Sequence, residues 1–290
     1  MKKIGFILLF SILFVQCDYR DVPINIHKLG YYTAYDCRAF QGTPAWELAK
    51  AVDDNDTSEI IKILKEHPKI IDFQEPLWGN TVLMQSINNR HYAAFMTLLR
   101  LGADVTVHTI YNGASAIHMA VETGDTIFVE ALLRYGANIN DFGKGGRKDV
   151  WQVNWTYSPL FDAVSNASYG DKDMTMVKYL IEHGADLNMC FSYGSTALND
   201  ALILENYDLA IYLIESGANY TIPIYRLKEY EEGWFPVSIQ QYVDECKGII
   251  PPPTKNYVQN EMSDSQYNRL TELISQPYVP KPIVHYTYDE

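Results

Sequence analysis

One eight-residue pattern ends four segments of this chain: LLRLGADV (98–105), LLRYGANI (132–139), LIEHGADL (180–187) and LIESGANY (213–220). Its glycines are residues 102, 136, 184 and 217, so successive intervals are 34, 48 and 33 residues. Self-similarity at a period of roughly 20–50 residues is the signature of repeat proteins. The pattern therefore predicts stacked repeats, and the long interval predicts that one repeat carries insertions.

Each repeat also begins in the same way. The openings are GNTVLMQSI at 79, GASAIHMAV at 113, SPLFDAV at 158 and GSTALNDAL at 194. Apolar residues then recur at helical spacing, which predicts two short helices per repeat, each with one buried face. The opening Thr or Ser is suited to capping the first helix, and the glycine to ending the second in a left-handed conformation. One helix pair does not bury its apolar faces alone, so neighbouring pairs must pack together.

These openings and endings resemble the ankyrin repeat, whose pattern runs from G-x-TPLHLAA through a second helix ending in LL to GAD or GAN. Four residues align with the Thr that opens the first helix in this family: Thr81, Ser115, Ser158 and Thr196. A less regular fifth unit precedes them and begins at Trp46. The resemblance covers about residues 46 to 220. It implies an all-α ankyrin-repeat solenoid of helix-turn-helix units with protruding hairpin loops, capped at both ends.

The repeats suggest a division of the chain into four parts. Residues 1–16 are interpreted as an export signal, 17–42 as a tether and lead-in, and 43–222 as about five ankyrin repeats. Residues 223–290 are interpreted as a C-terminal cap, a degenerate sixth repeat with a long loop around Pro251, followed by a tail. Terminal repeats need a solvated outer face, which fits this interpretation.

The first residues carry the pattern of an export signal. Lys2 and Lys3 precede an apolar run over residues 4–15. A helix of that length reaches about 18 Å, whereas the hydrocarbon core of a bilayer is about 30 Å thick. The run is therefore interpreted as the apolar region of a signal peptide and not as a permanent span.

Cys17 follows this run directly and resembles the lipidated cysteine of bacterial lipoproteins. Phe14 and Gln16 differ from the Leu and the small residue usual before that cysteine. The resemblance implies lipidation at Cys17 and a place in the bacterial cell envelope, anchored to a membrane and facing the periplasm or the cell exterior. An ordinary cleaved signal and an uncleaved anchor are the alternatives. In an oxidising compartment the three other cysteines, Cys37, Cys190 and Cys246, form at most one disulfide.

Composition and motifs argue against several classes of function. With 36 acidic and 23 basic residues the formal net charge is −13, which disfavours a nucleic-acid partner. The cysteines form no CxxC pair, the histidines form no HExxH, and the glycines at 143–146 are not followed by GKS or GKT. We therefore predict no catalytic residue, metal or cofactor. A hydrolase built on the C-terminal 70 residues is the alternative of another class.

Protein binding is the remaining function. Ankyrin proteins usually hold partners against the tips of their finger loops and their inner helices. The finger positions and their neighbours give six candidate partner-binding residues: Trp78, Tyr111, Trp151, Trp155, Tyr157 and Tyr193. Trp151 and Trp155 lie in the long connection after Asn140, which is predicted to be a protruding hairpin. In the alternative, these rings pack on one another or lie under the C-terminal tail.

The sequence therefore predicts a membrane-tethered, extracytoplasmic ankyrin-repeat protein that binds another protein and catalyses no reaction. An immunity or inhibitor protein that occludes a basic toxin or enzyme is one alternative, because complementary charge accelerates encounter. A scaffold that holds an envelope enzyme near the membrane is another.

Overall fold

The computed structural model describes residues 36–143, 157–169, 173–191, 194–227, 234–249 and 262–282. Contacts divide the chain into two compact units, Met1–Ala103 and Asp104–Glu290. Helices dominate both, and the described residues include one two-stranded sheet. The all-α repeat fold expected from the sequence is therefore confirmed.

The described residues of the first unit form two consecutive helix pairs. Its elements are a 3-10 helix Cys37–Phe40, α1 (Trp46–Asp53), α2 (Thr57–Glu66), a 3-10 helix Pro68–Ile70, α3 (Val82–Asn88) and α4 (Tyr92–Arg100). Helix α1 packs on α2 and α3 packs on α4, while α1 also contacts α3 and α2 contacts α4. Fully buried side chains between them include Leu48, Ile60, Ile87, Phe95 and Leu98. Each pair thus buries its apolar faces against the next pair.

In the described part of the second unit there are three further pairs and a C-terminal extension. The pairs are α5 (Ala116–Glu122) with α6 (Thr126–Arg134), α7 (Pro159–Tyr169) with α8 (Thr175–Glu182), and α9 (Ala197–Ile203) with α10 (Tyr207–Ser216). The extension comprises β1 (Ile224–Leu227), β2 (Trp234–Val237), α11 (Ile239–Lys247) and α12 (Asp264–Ser275). Helix α7 contacts both α5 and α9, so these three first helices form one layer.

The ends of the helices follow the local signals in the sequence. The hydroxyl of Thr81 accepts the backbone N–H of Met84 at 3.4 Å, and Thr196 does the same for Asn199 at 3.3 Å. The four repeat glycines have φ angles of 92°, 91°, 94° and 115°. Residues with a side chain rarely adopt such angles, so the predicted left-handed glycine ends are confirmed.

Asparagine side chains join successive repeats of the second unit through backbone groups. The Asn140 carbonyl oxygen accepts the N–H of Asp186 at 2.8 Å, and the Asn188 carbonyl oxygen accepts the N–H of Asn219 at 2.7 Å. Both asparagines lie four residues after a repeat glycine. The same position in two repeats therefore makes the same link to the following repeat.

One local feature differs from the expectations. Strands β1 and β2 pair antiparallel, with Ile224 opposite Val237, where the sequence predicted no strand. Helix α7 continues to Tyr169, and in its last turn the Ser168 hydroxyl donates to the carbonyl of Val164 at 2.8 Å.

The C-terminal extension is attached to the last regular repeat. Arg269 on α12 pairs with Glu215 on α10 at 2.6 Å. Beyond α12, the Tyr278 ring packs edge-on against Tyr220, with 5.6 Å between centroids. The Lys281 ammonium group donates to the backbone carbonyl of Glu215. Residues 276–282 therefore lie against the end of α10.

Among the described residues, no helix has both the length and the apolar character needed to cross a membrane. Cys37 and Cys246 are buried, whereas Cys190 is exposed. No disulfide joins these three cysteines in the described part of the chain.

Candidate functional site

The finger loop of the first unit, residues 75–80, is organised by one buried carboxylate. Glu75 is fully buried and accepts the backbone N–H groups of Leu77 at 2.7 Å, Trp78 at 2.9 Å and Asn80 at 2.9 Å. Three charge-assisted hydrogen bonds hold the loop in one conformation. The half-buried Trp78 is thus presented on a rigid loop.

The first finger loop of the second unit, residues 109–114, presents Tyr111 in a similar way. The Thr109 N–H donates to the carbonyl of Ala114 at 2.8 Å, and the Thr109 hydroxyl donates to the side chain of Asn112 at 2.5 Å. Tyr111 is half-buried. The loop is closed by hydrogen bonds at its base, and Tyr111 retains surface that a partner could contact.

Tyr157 belongs to a group of aromatic rings at the base of the long insertion. Its ring stacks on Phe161 with 4.9 Å between centroids, and Phe161 meets Phe191 edge-on at 4.2 Å. The Gly143 N–H donates to the Tyr157 carbonyl at 3.3 Å, so the two ends of the insertion are held together. Tyr157 and Phe161 are half-buried and Phe191 is buried.

The other candidate residues lie outside the described residues: Trp151, Trp155, Tyr193 and Cys17.

Ser115, His118 and Asp141 meet in a cluster that the sequence analysis did not predict. The Ser115 hydroxyl donates to Asp141 and lies 3.0 Å from His118 Nδ1. His118 Nε2 lies 3.0 Å from the carbonyl of Tyr157, and His108 Nε2 lies 3.0 Å from Asp141 Oδ2. The residue types are those of a hydrolytic triad.

Their order is not that of a nucleophilic site. In a triad the histidine lies between the serine and the acid and takes the hydroxyl proton. Here Ser115 lies between His118 and Asp141, and its own N–H donates to His118 Nδ1 at 3.2 Å. Burial lowers the pKa of His118, while its hydrogen bond to Tyr157 and the charge of Asp141 oppose that shift. A neutral, buried His118 that joins the start of α5 to the start of the next repeat is a structural element.

A second polar group lies on the layer formed by α5, α7 and α9. Asp162 on α7 and Asp200 on α9 each lie four residues after the opening Ser or Thr of their repeat, and Glu122 is the last residue of α5. Asp200 accepts a hydrogen bond of 2.6 Å from Ser165 on α7. We name Glu122, Asp162 and Asp200 the acidic row.

The acidic row is electrostatically unfavourable as it stands. Burial raises the pKa of Asp162 well above its usual value, and the charges of Glu122 and Asp200 add to the shift. Burial raises the pKa of Asp200 to about 6, against the opposing effect of the Ser165 hydrogen bond. Burial also raises the pKa of Tyr157, with contributions from Asp162 and Asp200. Phe161, on which the Tyr157 ring stacks, directly precedes Asp162 on α7, so the aromatic group and the acidic row share this helix.

These groups do not form a metal site of the usual kind. No set of three or more His, Cys, Asp or Glu side chains within the described ranges is arranged to hold a metal ion. The acidic row is not apparent from proximity along the chain, because Glu122, Asp162 and Asp200 belong to three different repeats. Their shared position relative to Ser158 and Thr196 was the signal that could have found them.

Comparisons with known proteins support the assignment of ankyrin repeats to this chain. A family model described as ankyrin repeats in three copies matches residues 48–143 and 144–224, which together exceed half of the chain. The chain is 28% identical over 162 residues to a putative ankyrin repeat protein of Fowlpox virus (strain NVSL), covering 54% of this chain and 43% of that protein.

Two further relatives are animal proteins. The B-cell lymphoma 3 protein homolog of Mus musculus is 37% identical over 109 residues, which are 38% of this chain and 21% of that protein. The ankyrin repeat and KH domain-containing protein mask-1 of Caenorhabditis elegans is 26% identical over 207 residues, covering 62% of this chain and 7% of that protein. The chain thus spans less than half the length of these curated relatives. It belongs to the ankyrin-repeat family, and its repeats indicate a protein–protein interaction module.

Proposed function

We propose that this chain is a lipid-anchored protein of the bacterial cell envelope that binds another protein through its finger loops and first helices and catalyses no reaction. The observation that carries this proposal is that three aromatic residues in or beside the finger loops are partly exposed and held on fixed loops. Trp78, Tyr111 and Tyr157 are all half-buried on loops closed by hydrogen bonds. Aromatic side chains held in this way supply large contact areas at low entropic cost, and such residues dominate interface energies.

The first test concerns the anchor. Lys2, Lys3, the apolar run and Cys17 support export and acylation of the chain. Two acyl chains already hold a protein stably on a membrane, whereas one chain binds only marginally. We expect the full-length chain to incorporate an alkyne-labelled fatty acid in bacteria and to sediment with membranes, and the Cys17→Ser variant to lose the label.

The matched control for the anchor is Cys190→Ser, because Cys190 is an exposed thiol that the proposal leaves unmodified. This variant should keep the label and the membrane association. Retention of the label by Cys17→Ser would disprove lipidation at that residue. Protection of the chain from protease added to spheroplasts would contradict a position that faces the periplasm or the cell exterior.

The second test concerns the fingers. Replacing Tyr111 with alanine should lower the yield of partner captured from solubilised source membranes by at least about tenfold, because interface aromatics often contribute about 2 kcal/mol or more each. The thermal midpoint should change by less than about 2 °C, since surface substitutions usually alter stability by under about 0.5 kcal/mol. Quantitative mass spectrometry of the captured protein and thermal unfolding supply the two measurements.

Tyr135→Ala is the control for the fingers. Tyr135 is 42% exposed at the end of α6, on the second helix of the same repeat. Partner yield should be unchanged in this variant. A large loss of stability in Tyr111→Ala, with partner capture preserved, would assign Tyr111 to packing.

A second candidate function is an immunity or inhibitor role. The net charge of −13 and the acidic row favour a basic partner, such as a toxin or enzyme whose site would be covered. Inhibition of the captured partner by the purified chain would support this role. Full partner activity in the complex would favour a scaffold.

A further inference from the structure

The link between the helix pairs α5–α6 and α7–α8 contains a titratable side chain. His118 on α5 is buried, and its Nε2 atom lies 3.0 Å from the backbone carbonyl of Tyr157, two residues before α7. A carbonyl group only accepts hydrogen bonds, so Nε2 carries a proton. The Ser115 N–H donates to Nδ1 at 3.2 Å, so Nδ1 supplies a lone pair. The two contacts together require the neutral form of the ring.

The helix pair α9–α10 makes the equivalent link without a titratable group. Asn199 lies three residues after Thr196, as His118 lies three residues after Ser115. The Asn199 side-chain amide donates to the backbone carbonyl of Pro223 at 2.9 Å. In the four regular repeats this position is held by four different residues, of which only the histidine titrates near neutral pH: Met84, His118, Phe161 and Asn199.

Acid therefore changes the His118 link and leaves the Asn199 link as it is. Protonation adds an N–H at Nδ1, to which the Ser115 N–H already points. The Ser115 hydroxyl, 3.0 Å from Nδ1, can accept from the new N–H, but the Ser115 backbone N–H loses its acceptor. An unsatisfied donor in a buried position is costly, and an amide side chain undergoes no such change.

Other charged groups act on His118 in the described part of the chain. The Asp141 carboxylate lies 4.0 Å from Nδ1 and favours the protonated ring. His108, whose Nε2 lies 3.0 Å from Asp141 Oδ2, disfavours a second positive charge there. Burial has the largest effect and lowers the pKa of His118. The helices packed against α5 carry three further charged residues: Glu130 and Arg134, which pair with each other on α6, and Asp162 on α7.

We propose that His118 makes the junction between the α5–α6 and α7–α8 pairs acid-sensitive: protonation of the ring breaks its contact with the Ser115 N–H and loosens the attachment of α7 to α5. Tyr157 provides the carbonyl of this link and is also one of the three partly exposed aromatic residues. Its presentation to a partner therefore depends on the same proton, a consequence that rests on the proposed function.

Lower pH weakens the folded chain through His118 and stabilises it through buried carboxylates. The lowered pKa of His118 means that the folded chain binds fewer protons at this residue than the unfolded chain does. Its contribution to stability is complete above the ordinary histidine value of about 6.5 and is lost as the pH falls below that value. Burial raises the pKa of Asp162 and Asp200, which has the opposite effect. Only a comparison that removes the His118 imidazole isolates its contribution.

The test compares the full-length chain in detergent micelles with His118→Asn, which introduces the residue used for the Asn199 link. Thermal midpoints are followed by circular dichroism from about pH 7.5 to about pH 5. Across this range the midpoint of the unmodified chain should fall by at least about 2 °C relative to that of the variant, the change expected for one buried hydrogen bond in a domain of this size. Parallel pH profiles would overturn the proposal.

The matched control is His91→Asn in the first unit. His91 Nδ1 lies 2.9 Å from the backbone carbonyl of Val52, so this nitrogen is a donor and protonation of the ring leaves its hydrogen bond in place. The pH profile of this variant should run parallel to that of the unmodified chain. An equal change of profile in His91→Asn and His118→Asn would show that the number of histidines is the cause, and would overturn the proposal.

Two further measurements locate the effect and remain available if His118→Asn fails to fold. In the unmodified chain, the nuclear magnetic resonance signal of the His118 ring should titrate below about pH 6.5, and titration above that value would overturn the proposal. In a folded His118→Asn chain, hydrogen exchange is compared with that of the unmodified chain at the same pH. The ratio of their rates over residues 157–169 should rise at least about threefold from about pH 7.5 to about pH 5.5, and over 197–216 it should stay constant. Equal ratios in the two segments would contradict an acid-sensitive junction at α7.

Failure of this inference is distinguishable from failure of the proposed function. If Tyr111→Ala abolishes partner capture while the pH profiles of the unmodified chain and His118→Asn run parallel, the interaction module stands and the acid-sensitive junction does not exist. If Tyr111→Ala leaves partner capture unchanged while the profiles diverge, the junction stands and the finger surface proposed above is wrong.

Discussion

Replacing Glu75 with alanine is expected to lower the free energy of unfolding of the first unit by about 3 kcal/mol, because three backbone N–H groups lose a buried acceptor. The Glu75 carboxylate accepts from Leu77, Trp78 and Asn80, and the residue is fully buried. A water molecule does not restore the charge-assisted character of these bonds. Urea denaturation followed by circular dichroism measures the loss.

Two further variants provide a scale against which this loss of stability can be compared. Glu75→Gln retains one acceptor oxygen and should lose about half as much stability. Asp56→Ala removes an exposed carboxylate that caps α2 by accepting from Ser58 and Glu59, and it should cost about 1 kcal/mol. If Glu75→Ala were no more destabilising than Asp56→Ala, burial would not be the source of the effect.

Replacing Gly217 with valine is expected to destabilise the second unit by about 2 to 3 kcal/mol. The φ angle of 115° strains any β-branched residue. A Cβ atom at this position would also lie 2.9 Å from Cδ of Lys281, so the side chain that reaches the Glu215 carbonyl must move. Thermal unfolding measures the change, and faster protease cleavage near the C-terminus reports displacement of residues 276–282.

The variant Gly136→Val separates the effect of backbone strain from the effect of contact with Lys281. Gly136 has a φ angle of 91°, and a Cβ atom there would meet no other atom within 4 Å. This variant should cost about 1 to 2 kcal/mol from backbone strain alone, with no change in cleavage near the C-terminus. Equal effects at both glycines would show that contact with Lys281 contributes nothing. An unchanged midpoint for Gly136→Val would contradict the left-handed helix end.

The helices were predictable because their signals are local. Thr81 and Thr196 lie directly before the helices they cap, and the repeat glycines lie one or two residues after the helices they end. Each signal depends on residues within one helical turn, so the repeat pattern alone indicates where each helix begins and ends.

Other features depend on residues that are distant in the chain. Glu122 and Asp162 lie in different repeats, on helices α5 and α7 that contact each other, so their relation is not visible in the local sequence. Strand β2 contains Pro236, which opposes a strand assignment except at an edge, and both strands of a two-stranded sheet are edges. The Ser115–His118–Asp141 cluster was not predicted from the sequence, because Asp141 lies in the following repeat.

The hydrogen bonds between successive repeats of the second unit join a side chain of one repeat to a main-chain group of the next. Asn140 and Asn188 bond to backbone N–H groups, and His118 and Asn199 reach the backbone carbonyls of Tyr157 and Pro223. A main-chain carbonyl is present in every residue, and a main-chain N–H in every residue except proline. Mutation can therefore change the exposed surface of one repeat without weakening its attachment to the next repeat. New binding specificities can evolve in this way while the fold is retained.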